Sequence, residues 1–130
     1  MEPEHFGKVV FLSEKKSPEP SVLLNQVDNS FKAHEIRLDG KSSLGQLENL
    51  SGSYVVVINY SDLTYAIQLV RILRRRDESK PILVVTPEQD VNLILRAYKA
   101  GVNDCIESTI SPALLFAKIH AWMRWLGRPR

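Results

Sequence analysis

Short apolar runs alternate with amphipathic stretches along the chain, and this alternation indicates the fold class. Three of the runs are rich in β-branched residues, which is typical of strands buried on both faces of a parallel sheet. They read K-V-V-F-L at 8–12, Y-V-V-V-I at 54–58 and P-I-L-V-V-T at 81–86. The segment 33–38 alternates apolar and charged residues, as in a strand nearer a sheet edge, and 103–106 predicts a short fifth strand.

The stretches between these strands predict five helices. In the clearest of them, Ser61 or Asp62 can cap the first turn. Apolar residues then recur at helical spacing, at Leu63, Ala66, Ile67, Val70 and Leu73. Weaker patterns predict a helix over 21–31 and a short one over 44–50.

The boundaries of the last two helices carry specific signals. Asp90 can cap a helix that ends at Gly101, since glycine accepts the backbone conformation that follows a helix. Ser111 caps the last helix, with Pro112 in the first turn, where its missing N–H has no cost. This helix is predicted to run to about Leu126.

Strands that alternate with helices in this way predict an α/β fold. Helical crossovers between strands imply parallel strands with helices on both faces, so we expect a (βα)5 doubly wound five-stranded parallel sheet. The length of 130 residues suits one domain. We expect that domain to span 1–126, with 127–130 (G-R-P-R) as the start of an interdomain linker.

Composition narrows the classes of partner and cofactor. The formal net charge is +2, which is too small to indicate nucleic acid or an acidic membrane as the main partner. A single cysteine and three widely separated histidines predict neither a disulfide framework nor a metal site. No apolar run is long enough for a membrane helix, and the first residues lack an apolar signal region. We therefore expect a cytoplasmic protein without a cofactor.

Ligands of doubly wound sheets bind at the carboxyl ends of the strands. Polar residues follow four of the predicted strands here: Ser13 and Glu14, Asn59, Thr86, and Ser108. No glycine-rich loop follows the first strand, which argues against a dinucleotide or P-loop site.

The stretch 81–122 resembles the second half of a bacterial response-regulator receiver domain of the chemotaxis-regulator type. The shared pattern is a strand that ends in Thr86, a helix that ends in A-G-V-N-D at 100–104, and Ser-Pro at 111–112. The resemblance extends from residue 8 to about 125 and is weaker before 54. It implies a flavodoxin-like receiver fold.

Receivers of this family accept a phosphoryl group from a histidine kinase on an aspartate at the end of the third strand. Two acidic residues after the first strand bind the Mg²⁺ that neutralises the phosphoryl oxygens. By resemblance, the phosphoacceptor position is Asn59, and the acidic pair falls on Ser13 and Glu14. An amide is no nucleophile, and only one acid remains.

Two further positions depart from the family's pattern. The lysine that pairs with the phosphoryl group falls on Ser108, and the switch aromatic falls on Cys105, whereas the hydroxyl position is kept as Thr86. These departures predict a pseudo-receiver that regulates a signalling or transcription protein without phosphorylation and without enzymatic activity. From the residues alone, Cys105 is expected to be a small apolar core residue.

The family signals through a face formed by its fourth helix, fifth strand and fifth helix. By resemblance, this face draws on Arg96, Tyr98, Lys99, Asn103, Lys118, Ala121, Trp122 and Trp125. The implied partner is another protein or the chain's own output domain, and nucleic acid would be reached only through such a domain. An exposed Trp125 would also suit a homodimer through the last helix.

An alternative interpretation assigns the residues at the carboxyl ends of the strands to ligand binding. Ser13, Glu14, Asn59, Thr86 and Ser108 could hydrogen-bond a small polar ligand or an anion, which would make the domain a sensor. Glu14 could also hold a cation, although a solvated loop acid is the simpler interpretation.

Overall fold

The computed structural model describes residues 8–14, 32–38, 54–76 and 79–126. Its strands are β1 (Lys8–Glu14), β2 (Lys32–Leu38), β3 (Tyr54–Asn59), β4 (Ile82–Thr86) and β5 (Asp104–Glu107). Its helices are α1 (Leu63–Arg76), α2 (Val91–Ala100) and α3 (Pro112–Leu126). The helices predicted over 21–31 and 44–50 and the linker predicted over 127–130 lie outside the described residues.

All five strands form one parallel sheet in the order β2-β1-β3-β4-β5. This order belongs to the flavodoxin-like doubly wound folds, in which the chain reverses direction across the sheet beside β1. The sequence prediction of a five-stranded doubly wound parallel sheet is therefore confirmed.

The alternation of side chains along the strands divides the core between the two faces of the sheet. On one face, alternate residues of β1, β3 and β4 pack against α1 and α2: Val10, Leu12, Val56, Ile58, Ile82 and Val84. On the other face, their neighbours pack against α3: Val9, Phe11, Val55, Val57, Leu83 and Val85. The strand residues on both faces are buried, which explains why these strands are continuous apolar runs in the sequence.

The helix boundaries follow the capping signals. The Asp62 carboxylate accepts the amide two residues on at 2.9 Å, and Asp90 makes the same contact at 2.9 Å. The Ser111 hydroxyl accepts the amide of Leu114 at 3.2 Å. Gly101 ends α2 with a φ of 122°, a conformation that side chains other than glycine rarely adopt. Each of these predicted boundaries is confirmed.

Arg74 joins α1 to the segments that precede β4 and β5. Its guanidinium donates to the carbonyl of Lys80 at 2.7 Å and to the carbonyl of Gly101 at 2.8 and 3.0 Å. It also donates to the side-chain oxygen of Asn103 at 2.7 Å, which in turn accepts the amide of Ile82 at 2.8 Å. This network fixes the end of α2 against α1, so it also positions the outer surface of α2.

None of the helices in the described part of the chain combines the length and the apolar character that crossing a membrane requires.

Candidate functional site

The predicted pocket residues meet at the carboxyl edge of the sheet but on two faces of it. Ser13 and Asn59 are direct register partners on β1 and β3, and alternation places both on the face of α3. Thr86 lies on the opposite face, in line with Ile82 and Val84 of β4. The amide of Ser108 donates to the carbonyl of Thr86 at 2.9 Å, which fixes the turn after β5.

The two buried hydroxyls of this edge differ in their hydrogen bonding. Thr86 is 2% exposed, and its Oγ1 accepts the amide of Glu88 at 3.1 Å, so that oxygen helps to shape the turn before α2. Ser13 is fully buried, and its Oγ has no hydrogen-bond partner among the residues that the structure describes. A buried hydroxyl without a partner is unusual in a folded protein. Ser13 is therefore the one predicted pocket residue with an unused buried polar atom.

Glu14 accepts hydrogen bonds from Ser61, which the sequence predicts only as a candidate helix cap. Its Oε1 accepts both the amide and the hydroxyl of Ser61, at 2.6 and 2.8 Å. Hydrogen bonds to a charged acceptor are stronger than neutral ones, and two donors from one residue fix the carboxylate's orientation. The sequence cannot predict this contact, because Glu14 lies 47 positions before Ser61 and no local pattern connects them.

The side chains at this edge do not fit the Mg²⁺ ion that the resemblance implies. Mg²⁺ prefers carboxylate oxygens in octahedral geometry. Here Ser61 already donates two hydrogen bonds to one carboxylate oxygen of Glu14. The family's second acidic position is taken by Ser13, which offers a hydroxyl, and Asn59 offers a neutral amide. Within the described residues, no group of three His, Cys, Asp or Glu side chains could hold a metal ion.

Tyr60 follows Asn59 directly and is buried. Its ring stacks on that of Tyr65 with centroids 5.2 Å apart and nearly parallel planes. Burial, together with the smaller effects of the charges of Tyr65 and Glu14, raises the pKa of Tyr60 to about 12. The phenol therefore stays protonated at physiological pH, and Tyr60 adds no negative charge to the site.

Cys105, which by resemblance takes the position of the switch aromatic, is half-buried, whereas the sequence predicts a small apolar core residue. The reason is topological, because β5 lies at the end of the strand order, and among the described strands only β4 pairs with it. Its amide donates to the phenol oxygen of Tyr98 at 3.0 Å. Burial raises the pKa of the Cys105 thiol to about 11, with a further contribution from Asp104. The thiol is therefore protonated at neutral pH, and its reactive thiolate fraction is small.

The predicted interface residues of α2 and the loop after it are all exposed. These residues are Arg96, Tyr98, Lys99 and Asn103. The side-chain oxygen of Asn103 is not available to a partner, because it already accepts from Arg74 and from the amide of Ile82. Asn103 thus has a structural task that its exposure does not reveal.

The predicted interface residues of α3 range from half-buried to exposed. Lys118 forms an ion pair with Asp104 at 3.5 Å, and Ala121 is exposed. Trp122 packs against the core on the α3 face, whereas Trp125 is 41% exposed and meets the edge of Trp122 with centroids 6.0 Å apart. The indole of Trp122 therefore contributes to the core, and that of Trp125 lies at the surface.

The chain is similar to solved structures but to no known family model. No protein-family model matches the chain, and no curated protein sequence matches it significantly. Solved structures do match this chain. Full-length FixJ from B. japonicum matches with a TM-score of 0.71 and 22% identity, over 92% of this chain and 59% of that one. A CheY-like receiver domain protein from Methanospirillum hungatei JF-1 matches with a TM-score of 0.75 and 12% identity, over 92% and 95%.

The chain has the receiver fold. A LuxR-family two-component response regulator from Aurantimonas sp. SI85-9A1 is similar as well, with a TM-score of 0.72 and 18% identity over 90% of this chain and 85% of that one. The chain spans less than two thirds of FixJ, so the activity of the whole of FixJ does not transfer to it. At these identities the likeness concerns the receiver fold alone, and function has to be argued from the site.

Proposed function

We propose that this chain is a receiver-like regulatory module that acts through protein contacts and without phosphorylation. The observation that supports it best is the pairing of Asn59 with Ser13 at the carboxyl edge of the sheet. Phosphoryl transfer to a side chain needs an ionised oxygen nucleophile, and an amide offers only a neutral oxygen and a delocalised nitrogen.

Two further features support the loss of phosphotransfer. Ser61 donates two hydrogen bonds to the Glu14 carboxylate, so the one acid that remains of the pair implied by the resemblance is already bound to the protein. Ser108 carries no positive charge that could neutralise a phosphoryl oxygen. Restoring the reaction would therefore require several changes at once.

The proposed module comprises residues 1–126, with 127–130 leading towards an output domain. Its partner is that output domain, another protein or a second copy of the chain, and it reaches nucleic acid only through an output domain. The module has no enzymatic activity of its own. Its signalling surface is then either constant or set by the partner, since a partner shifts a domain only by binding one of two states more tightly.

The test combines sedimentation velocity with intact mass measurement. We expect beryllofluoride with Mg²⁺, a mimic of aspartyl phosphate, to leave mass and shape unchanged, and acetyl phosphate to add no phosphoryl group. The matched control is the triple variant Ser13→Asp, Asn59→Asp, Ser108→Lys, which rebuilds the family's pattern and should become phosphorylated. A phosphoryl group on the unmodified chain would disprove the proposal, and peptide mapping would then locate the new acceptor.

One observation favours a second candidate function. The buried Ser13 hydroxyl has no partner in the described part of the chain, so a small polar ligand or an anion could complete its hydrogen bonding. A ligand sensor of this kind predicts that phosphate or sulfate raises the melting temperature specifically. Ser13→Ala should remove that shift, and an equal shift in the variant would exclude the sensor.

A further inference from the structure

A groove lies between α2 and β5, on the side of the helix that faces the sheet. Its volume of about 410 Å³ is within the range of about 300–1,000 Å³ that is usual for small-molecule sites. Val91 and Leu95 of the same helix are 66% and 52% exposed and do not line the groove. The groove is therefore distinct from the outer surface of α2.

The lining of the groove includes apolar and aromatic side chains. Ile94 and Cys105 are half-buried and pack against the core on the face of α1 and α2. Tyr98 also lines the groove, and its phenol oxygen accepts the amide of Cys105 at 3.0 Å, which fixes the ring between the helix and the strand. A fixed aromatic ring can stack on a flat ligand and can attract a cation.

The small side chain at position 105 leaves this space open. Cys105 has only a sulfur atom beyond its Cβ, whereas the position that it takes by resemblance is aromatic in the family. A ring attached at residue 105 would fill part of the groove, because Cys105 is one of the lining residues. The sequence change thus provides room for a separate molecule.

Two carboxylates give the groove a negative charge. Glu88 and Glu107 line it beyond the ends of β4 and β5, and no basic residue lines it within the described part of the chain. One oxygen of Glu88 accepts the amides of Gln89 and Asp90 at 3.1 and 3.0 Å, which holds that carboxylate in place. The Glu107 side chain is exposed and has no partner among the described residues. The groove therefore favours a cation.

Thr86 adds a buried hydroxyl to the same groove. It is 2% exposed, and its Oγ1 accepts the amide of Glu88 at 3.1 Å. A hydroxyl oxygen has two acceptor sites, so one of them is available to a ligand that donates hydrogen bonds. An ammonium group, which only donates, suits this hydroxyl and the two carboxylates together.

We infer that the groove binds a small organic cation, an ammonium group carried on a flat aromatic body. The ammonium lies between the carboxylates of Glu88 and Glu107, and the aromatic body lies against Ile94 and Tyr98. An anionic ligand would be repelled by both carboxylates. The inference does not rest on the proposed function, because the groove lies on the face of α1 and α2, whereas Ser13 lies on the face of α3.

Titration calorimetry of the full chain with tryptamine tests the chemical class of the ligand. Indole-3-propionate is the matched compound, since it has the same ring and a carboxylate in place of the ammonium group. We expect saturable binding of tryptamine at one site and binding of indole-3-propionate at least about tenfold weaker. Equal affinities for the two compounds would contradict recognition of a cation.

Two variants test the location of the site. Glu107→Gln should weaken tryptamine binding about two- to fivefold, as expected for the loss of an exposed charge. Asp62→Asn is the matched control, because it removes one negative charge outside the groove and keeps the helix cap, and it should leave the affinity unchanged. Cys105→Phe places a ring in the groove and should weaken binding at least about tenfold, with circular dichroism to verify folding.

The single cysteine also reports on the groove of the unmodified chain. Tryptamine at ten times its Kd should slow the reaction of Cys105 with a disulfide reagent about tenfold, because only the unliganded molecules react. Indole-3-propionate at the same concentration should protect far less, and neither compound should protect the chain unfolded in urea.

Three results would overturn the inference. They are the absence of saturable tryptamine binding, equal affinity in a folded Cys105→Phe variant, and an unchanged reaction rate of Cys105 at saturating tryptamine. Phosphorylation of the unmodified chain would disprove the proposed function and leave this site intact. Failure to bind tryptamine would disprove this site and leave the proposed function intact.

Discussion

Arg74 and Asn103 share a hydrogen bond of 2.7 Å that connects the last turn of α1 to the loop before β5. The same asparagine oxygen accepts the amide of Ile82, and the same guanidinium reaches two backbone carbonyls. A guanidinium can serve several acceptors in one plane because its donors are fixed in a fork. One side chain therefore secures the starts of two strands and the end of a helix.

Replacing Arg74 should destabilise the fold. Arg74→Ala leaves the Lys80 and Gly101 carbonyls without the guanidinium donor, and the Asn103 oxygen keeps only the amide of Ile82. We expect a loss of about 2–3 kcal/mol in the free energy of unfolding. Urea denaturation measures it. Arg75→Ala is the matched control, since Arg75 is exposed at the same helix end, and it should cost less than about 0.5 kcal/mol. Equal losses would show that Arg74 contributes only helix-end charge.

Gly101 should be intolerant of a side chain for two separable reasons. Its φ of 122° strains any other residue, and a Cβ would lie 2.8 Å from Cγ and Nε of Arg74. We expect Gly101→Ala to cost about 1–3 kcal/mol. In Arg74→Ala the contact disappears and the strain remains, so the double variant should lose less than the sum of the single losses. Additive losses would show that the contact carries no cost.

Stability should fall at high pH through Tyr60. Its pKa is raised to about 12 in the folded protein, above the ordinary value of 10.0, so the unfolded chain releases this proton first. The contribution is fully present below pH 10 and is lost as the pH rises towards 12. Denaturation curves of the unmodified chain and Tyr60→Phe should diverge across that interval. Parallel curves would contradict the raised pKa, and phenolate absorbance provides an independent check.

Cys105 should react slowly with thiol reagents. Burial raises its pKa to about 11, above the ordinary 9.0, and only the thiolate reacts. The smaller thiolate fraction, partly offset by greater nucleophilicity, predicts alkylation at pH 8 about tenfold slower than that of a free cysteine. The same chain unfolded in urea is the control, and it should react at the free rate. Equal rates in the two states would exclude protection by burial.

The two tryptophans should contribute unequally to stability. Trp122 packs against the core, whereas Trp125 is 41% exposed. We expect Trp122→Ala to cost about 3 kcal/mol and Trp125→Ala about 1 kcal/mol or less in the free energy of unfolding. Thermal or urea denaturation measures both. A larger loss for Trp125→Ala would place that indole, and not Trp122, in the core.

The sequence predicts the sheet well because its signals are local. A buried strand such as 54–58 shows its apolar run directly, and caps such as Asp90 and Gly101 act within a few residues of themselves. The resemblance to receivers also places Ser13, Asn59 and Thr86 at one edge of the sheet, because parallel strands end together.

The remaining features depend on contacts between distant parts of the chain. In sequence, Arg74 is a cation at the end of a helix, and such residues are usually solvated. Ser61 can donate a hydrogen bond to Glu14 only once β1 and β3 lie side by side. The periodicity of α2 predicts a helix, yet it cannot show that Val91 and Leu95 face outwards, since an apolar stripe fits a core and an interface equally well.

The contact between Tyr98 and Cys105 bears on how the sheet avoids aggregation. β5 is an outer strand, and the unpaired amides of such strands can recruit a strand from another molecule. Here the amide of Cys105 is already bound to the Tyr98 phenol. The aromatic side chain thus covers part of the open edge, which discourages uncontrolled growth of the sheet from one molecule into the next.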